Sequence, residues 1–462
     1  MPAPKNPNVI FILADDMGYG DPGCYGNPHS QTPHLDRMAE EGIRLTQHYS
    51  GSPMCAPARA ALLTGRYPHR TGAVDVPECL GYDRIALRET TIADLFRSAG
   101  YATGIVGKWH NGALDHRYHP CARGFDEFFG FRAGLVTSYW DCLLERNESS
   151  ERNEGTYLTD VFTAEAVSFI ERHAEESFFL YLPYNAPHTP LEAPEEDVEP
   201  FRRQGTFTEA VSIIYGMNRR MDAGIGRIMT ALETLGLDEN TLVVFTSDNG
   251  PLFRGSGQND TRRWNGNWNG SKGDVLEGGI RVPAIARWPA GLPAGETVDA
   301  MTHFTDWLPT LVLAAGGTVP TNLALDGYNV LPTLRGEDSG YADSRIWQWN
   351  RYDPVPCCNA ALREGPWKIY APPIPEALKK RSRDSRRTRR MVNDPQSVEE
   401  IWTDPVERRL SSPPPPRLFN LEEDPEEHQN LYGRHLQRAG RMHRDLLVRL
   451  QDLIRSWPGI QR

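Results

Sequence analysis

The sequence predicts an α/β fold: a large mixed, mostly parallel sheet flanked by helices, followed by a smaller C-terminal α+β domain. Three observations carry this. Near-continuous apolar runs recur along the first two thirds of the chain, helical patterns with stop signals lie between them, and the composition changes after about Leu334. Unbroken β-branched and aromatic runs suit strands buried on both faces, as in a parallel sheet. Strand alternating with helix argues for a doubly wound sheet, which binds its ligands beyond the carboxyl ends of its strands.

The first apolar run, Asn8–Ala14, ends in Asp15-Asp16, and similar runs cover Ala102–Val106, Phe178–Leu182, Thr241–Thr246 and Val282–Trp288. Thr32-Pro33 opens a helical stretch that stops at Gly42, with proline at the entrance and glycine at the exit. Thr90–Ala99 stops at Gly100, and longer patterns cover about Tyr157–Arg172 and Phe207–Leu235. Beyond Leu334 come a Trp- and Pro-rich stretch, Ala360–Tyr370 with strand character, a basic run at Lys379–Arg390, the proline run that ends at Pro416, and an amphipathic helix near Gln437–Trp457. We therefore expect a larger domain over 1–335 and a second over 336–462 that carries the basic run as a mobile loop. The 462 residues agree with two domains, since single cores stop growing at roughly 250–300 residues.

Composition narrows the function. With 39% hydrophobic and 24% charged residues the chain reads as an ordinary globular protein. A net charge of -11 argues against a general nucleic-acid binder, which needs positive charge toward phosphates. No apolar stretch approaches the roughly 20 residues that span a bilayer. The opening Met1–Pro7 lacks the apolar core of a signal peptide, so the expectation is a cytoplasmic protein, or a periplasmic or secreted one if a leader has been removed. Seven scattered cysteines, with no C-x-x-C pair, fit neither a disulfide framework nor a zinc site.

The polar residues at strand ends carry more. Asp15-Asp16 and Asp248-Asn249 each follow an apolar run, so in a parallel sheet both pairs open onto one edge. Three carboxylates and an amide oxygen converging there repel one another unless a cation joins them, and an oxygen-only set suits a hard ion, calcium before magnesium. The plainer alternative is that Asp15-Asp16 cap a helix or turn.

The segment Cys55-Ala-Pro57-Ala-Arg59, continuing through Leu63-Thr64-Gly65-Arg66, resembles the signature of the formylglycine-dependent sulfatases within the alkaline-phosphatase-like superfamily. Ala58 stands where that signature most often has serine. Further segments resemble the family almost to the end of the chain: Gly107-Lys108-Trp109-His110, Asn185–Pro190 with His188, Gly270–Pro283 with Lys272, and Leu418–Leu431. The resemblance implies that Cys55 is oxidised by a formylglycine-generating maturation enzyme. The hydrated aldehyde is then the nucleophile, and re-forming the aldehyde expels sulfate, a release step that a thiol lacks. It also implies one calcium ion held by Asp15, Asp16, Asp248, Asn249 and the modified Cys55. Arg59 stabilises the hydrate, helped by a helix that Pro57 opens; Lys108 and Lys272 clamp the sulfate; His188 acts as general acid and His110 as the base for release.

Substrate class is read from aromatic and amide residues. Asn259–Asn269 holds Trp264 and Trp268 with Arg262, Arg263, Asn265 and Asn267, a mixture that suits a sugar ring. Trp347, Trp349 and Arg351 offer a second wall, and Asn111, which replaces the usual residue after the Lys-Trp-His segment, is a candidate substrate contact. Packing at a domain interface explains the same tryptophans about equally well. A sulfated carbohydrate is the leading substrate. Other readings are a simple arylsulfatase, a phosphonate or phosphate ester hydrolase of the same superfamily, and a non-catalytic carbohydrate-binding relative.

Overall fold

A computed structural model describes residues 6–253, 263–337, 344–394, 398 and 400–460. At its centre the strand Asn8–Ala14 lies between two parallel neighbours, Phe178–Pro183 and Thr241–Ser247. Ala102–Lys108 adds in parallel beyond Phe178–Pro183, and Glu127–Phe131 beyond that. The run at Val282–Trp288 forms the strand Ala284–Arg287, which runs antiparallel to Thr241–Ser247 and makes the ten-stranded sheet mixed.

Alternation along Asn8–Ala14 explains the near-continuous apolar run. Val9, Phe11 and Leu13 enter one core with Leu62, Leu63, Phe96 and Trp307. Ile10, Ile12 and Ala14 enter the opposite core with Phe162, Met217 and Ile225. Both faces are thus covered by helices, as the pattern requires. Those helices are Cys55–Thr64, Ile92–Ser98 and Phe304–Ala314 on one face, and Pro33–Glu40, Leu158–Arg172 and Glu209–Thr234 on the other.

Toward the C-terminus a second, antiparallel sheet orders Ser344–Gln348, Ala360–Glu364, Trp367–Ala371 and Arg417–Asn420. The single stretch expected at Ala360–Tyr370 is two strands of a hairpin, turned at Gly365 with φ 53°. The helix Leu436–Arg455 lays Ala439, Met442, Leu446, Leu450 and Leu453 on this sheet at helical spacing. The basic run is not the mobile loop expected of it. It forms the helix Ser382–Asn393, pinned where the buried Asp384 carboxylate accepts from Arg381 Nε at 2.6 Å and Tyr352 Oη at 2.7 Å. Among the described residues no helix is long and apolar enough to cross a membrane.

Candidate active site

Four neighbouring parallel strands end on one edge of the sheet, and each delivers polar residues there: Asp15-Asp16 after Ala14, Asp248-Asn249 after Ser247, Lys108 to His110 at the end of Ala102–Lys108, and His188 shortly after Pro183. The helix Cys55–Thr64 points its first residue at the same edge. It begins at Cys55 rather than at Pro57, its first backbone bond running from Ala58 N–H to Met54 O. Proline at the third position costs nothing there, because first-turn N–H groups have no intrahelical partner.

The resulting cluster is dense in charge. Arg59, fully buried, donates from Nε and Nη2 to Asp248 Oδ2 at 3.0 and 2.8 Å, and from Nη1 to the Lys108 carbonyl at 3.1 Å. Lys108 Nζ donates to Asp15 Oδ2 at 2.6 Å, and Lys272 Nζ to Asp16 Oδ1 at 2.6 Å. Asn249 Nδ2 donates to Asp16 Oδ1 at 2.8 Å. The Cys55 thiol lies within 4.8 Å of carboxylate oxygens of Asp15 and Asp248, and His188 is grouped in the same way with Asp15 and Asp16. Asp16 holds φ 67° and His110 φ 54°, conformations that cost energy for non-glycine residues and persist where the surroundings over-determine them.

Burial dominates the protonation of the cluster. It lifts Asp248 to about 6, with the neighbouring Asp15 charge adding to the rise. Burial also works to raise Asp16, but Lys272 and His188 outweigh it and hold that carboxyl well below the usual range. The Cys55 thiol is pushed up by burial, which Lys108 and Lys272 only partly offset.

Burial and then Lys272 depress His188 to about 3. Its Nδ1 donates to Thr189 O at 2.7 Å, leaving Nε2 as the atom beside Asp16 Oδ2 at 3.8 Å. His110 Nε2 sits 3.4 Å from Glu78 Oε1, and its Nδ1 is buried without a partner among the described residues. Burial, reinforced by Asp83, raises Glu78 to about 7.

The oxygen set fits a hard cation. Asp15 Oδ1 and Asn249 Oδ1 are buried acceptors with no hydrogen-bond partner among the described residues. An unpartnered buried acceptor costs roughly 1–3 kcal/mol, and direct coordination removes that cost.

Above this floor opens a cleft of about 330 Å³, lined by Cys55, His110, His188 and Lys272 and also by Glu78, Trp349, Arg351 and Lys380. The structure brings together the nucleophile and metal candidates Cys55, Asp15, Asp16, Asp248 and Asn249 with His110, His188 and Lys272, and with Arg59 and Lys108 beneath the cleft rather than in its wall. It does not do the same for three substrate candidates. Asn111 is fully buried and donates to Ala56 O at 3.0 Å and Asp83 O at 3.3 Å, so it braces the start of the Cys55 helix. Trp264 packs over Gly20 and Gly26, and Trp268 against Tyr19 and the Arg281 guanidinium, 4.2 Å from its ring.

These two tryptophans therefore serve packing, and Trp347 likewise is buried, donating to Ser50 O at 2.8 Å. Arg262 lies outside the described residues. Arg351 and Trp349 do line the cleft. Glu78 was missed, since it sits in no recognisable motif, and Lys380 was hidden within the basic run.

A helix-borne cysteine set against strand-end carboxylates on a mostly parallel sheet matches an ester hydrolase of the alkaline-phosphatase-like class. The chain belongs to the sulfatase family of sulfuric ester hydrolases: residues 7–317 match the family model described as Sulfatase. It is similar to N-acetylgalactosamine-6-sulfatase of Homo sapiens, 37% identical over 361 residues that cover 72% of this chain and 66% of that protein. It is also similar to arylsulfatase D of Homo sapiens, 32% identical over 428 residues, covering 74% and 71%. Among solved structures, Ps i-CgsB in complex with k-i-k-neocarrahexaose superposes with a TM-score of 0.81 at 29% identity, over 99% of this chain and 95% of that one. A phosphonate monoester hydrolase of Agrobacterium radiobacter shares the fold, with a TM-score of 0.67 at 20% identity over 96% of this chain and 95% of that one.

Proposed function

We propose that this sulfatase hydrolyses a sulfate ester on a carbohydrate, using a formylglycine made from Cys55 and one calcium ion. The observation that carries the reading is the cleft floor: a buried cysteine within 4.8 Å of Asp15 and Asp248 oxygens, with Arg59, Lys108 and Lys272 packed against the carboxylates. Asp15, Asp16, Asp248, Asn249 and the modified Cys55 would hold the calcium. When present, the ion supplies Lewis-acid polarisation of a sulfate oxygen and the modified residue supplies a nucleophilic oxygen.

The remaining roles belong to the chain itself. Arg59, fixed by two bonds to Asp248, places a permanent positive charge beside residue 55. Lys272 lines the cleft and offers its ammonium to sulfate oxygens, and Lys108, directly beneath, supports the same charge. His188 is oriented by Thr189 O so that Nε2 meets the leaving oxygen. An anionic sulfate offsets the push of Lys272 on that ring and favours the protonated form that donates. His110, beside Glu78, is set to accept a proton during release.

The carbohydrate preference is supported by the Trp349 wall beside Arg351, and by relatives whose names carry sugar substrates. We propose that residues 336–462, as a smaller domain, supply this wall. The test co-expresses the chain with a formylglycine-generating enzyme and assays sulfate release, with calcium, from an aryl sulfate, an aryl phosphonate monoester and sulfated sugars, with Cys55→Ala as the blank. Turnover of a sulfated sugar well above the blank is expected. Turnover confined to the phosphonate, with Cys55 shown converted by mass spectrometry, overturns the reading.

A further inference from the structure

The cleft carries more positive charge than hydrolysis of one sulfate uses. Lys380 lines the cleft, and among the described residues its Nζ makes one long hydrogen bond, to Thr388 Oγ1 at 3.4 Å, and no ion pair. Arg351 lines it too, its guanidinium 5.0 Å from the centre of the Trp349 ring. Arg351 Nη1 donates to Asp75 Oδ1 at 3.1 Å, but its Nε is buried without a partner among the described residues, as is Trp349 Nε1. Buried donors left unpaired are costly and mark a place where a ligand acceptor belongs.

Two acids stand near these donors, Asp75 and Glu78, and Lys380 acts on the Glu78 carboxyl. Asp75 is taken up by Arg351 and by the Tyr352 N–H at 2.8 Å. Glu78 is the one acidic side chain lining this cleft among the described residues. It is turned toward Gly134 N–H at 2.8 Å and His110, and burial holds its carboxyl up to about 7, so its charge at neutral pH is incomplete. Exposed Arg383, Arg386 and Arg389 on the adjoining helix extend the positive field outward, against a net charge of -11 for the whole chain.

We propose that Trp349, Arg351 and Lys380 form a subsite for a second anionic group, a sulfate or a carboxylate, borne by the same carbohydrate as the scissile sulfate. The inference rests on the carbohydrate reading above and narrows it: the preferred substrate is doubly charged. The hydroxyls of a neutral sugar accept from these donors without answering the charge of Lys380 or Arg351. An anion on the neighbouring carbon or ring meets both with charge-assisted bonds.

The test measures kcat and KM of the matured enzyme on three sugars: one with a single sulfate, the same sugar with a second sulfate, and the monosulfated sugar linked to a uronate. At least one doubly charged sugar is expected to exceed the singly charged one about tenfold in kcat/KM, equal to 1.4 kcal/mol, with the gain in KM. The preferred member of the pair tells sulfate from carboxylate as the group recognised. Lys380→Gln and Arg351→Gln each bring the ratio toward one, Lys380→Arg keeps it, and added salt compresses it in the wild type.

Equal kcat/KM for all three sugars, or a preference that survives Lys380→Gln and Arg351→Gln alike, overturns the subsite while leaving the sulfatase intact. Turnover of an aryl sulfate with none of any sugar overturns the carbohydrate reading itself, and the subsite with it.

Discussion

The buried cation Lys368 ties the small sheet to the catalytic sheet, and its removal has a calculable effect. Its Nζ lies 2.9 Å from Glu277 Oε1 and 2.8 Å from Glu427 Oε1, and all three side chains are fully or almost fully buried. Burial raises both carboxyls, but Lys368 and Arg281 outweigh it at Glu277 and hold that group down to about 2. At Glu427 burial prevails over Lys368, with Glu277 adding to the rise, and the group stands at about 7.

Lys368→Met leaves two carboxylates facing each other out of water, a loss of roughly 3–5 kcal/mol. At about 2.1 cal/mol/K per residue, a chain of 462 residues changes Tm by roughly 1 °C per kcal/mol, so a drop of about 3–5 °C follows. The sign with pH is fixed by Glu427. A carboxyl raised in the folded state binds its proton more tightly than in the unfolded chain, so its contribution weakens as pH rises from about 4.5 to 7. Without Lys368 both carboxyls need protons, and the variant's deficit is larger at pH 8 than at pH 5. Thermal melts at the two pH values test this, with Lys368→Met/Glu427→Gln as the rescue. A deficit under 1 °C at pH 8, or an equal one at pH 5, refutes the reasoning.

Cys55→Ser keeps the wild-type circular dichroism but loses sulfate release to the level of the Cys55→Ala blank, checked on a chromogenic aryl sulfate. His188→Ala lowers kcat on a sugar sulfate by about 10²–10⁴-fold and on a good phenolic leaving group far less, read from parallel assays. Asp222 accepts the N–H groups of His34 and Leu35 at the start of Pro33–Glu40, and burial raises it from 3.8 to about 7. The wild type therefore loses up to roughly 4 kcal/mol between pH 4 and 7 through this group, and Asp222→Asn flattens that slope in urea titrations at successive pH values. Lys108→Met enlarges the rise in Tm that calcium gives over EDTA, because Asp15 then has no ammonium beside it in the metal-free protein.

The fold was legible because its determinants are local. Asn8–Ala14 is apolar at every position after Asn8 since alternate side chains enter opposite cores, and the caps and glycines around the helices act within a turn. The placing of the candidate site's floor was legible for a related reason. Asp15-Asp16 and Asp248-Asn249 follow their strands directly, so sequence adjacency fixes their place on the sheet edge.

The rest of the cleft obeys no such rule. Trp264 and Trp268 stand close to Lys272 in sequence, yet Trp268 turns to the Arg281 guanidinium and Trp264 to Gly20, whereas Trp349 arrives from the second sheet. The basic run looked like a solvated loop because its charges dominate. Its folding rests on three inward residues, Asp384, Thr388 and Met391, whose spacing of four and three is a single helical stripe.

The charges on the floor explain why lysines lie so close to groups assigned to a metal. Asp15, Asp16 and Asp248 carry three carboxyls, and Arg59, Lys108 and Lys272 answer with three cations. The cluster is thus nearly neutral by itself, which lowers the cost of burying it. A divalent cation there would add two positive charges to the cluster, and an entering anion would offset them. The sulfate group of a substrate is that anion. On the proposed function a bound calcium would be held by these carboxylates, and Lys272, which donates to Asp16, would then have its ammonium available for a sulfate oxygen. On the proposed function the same residues would serve as counter-charges before metal and substrate bind and as donors afterwards, so metal and substrate are expected to reinforce each other's binding.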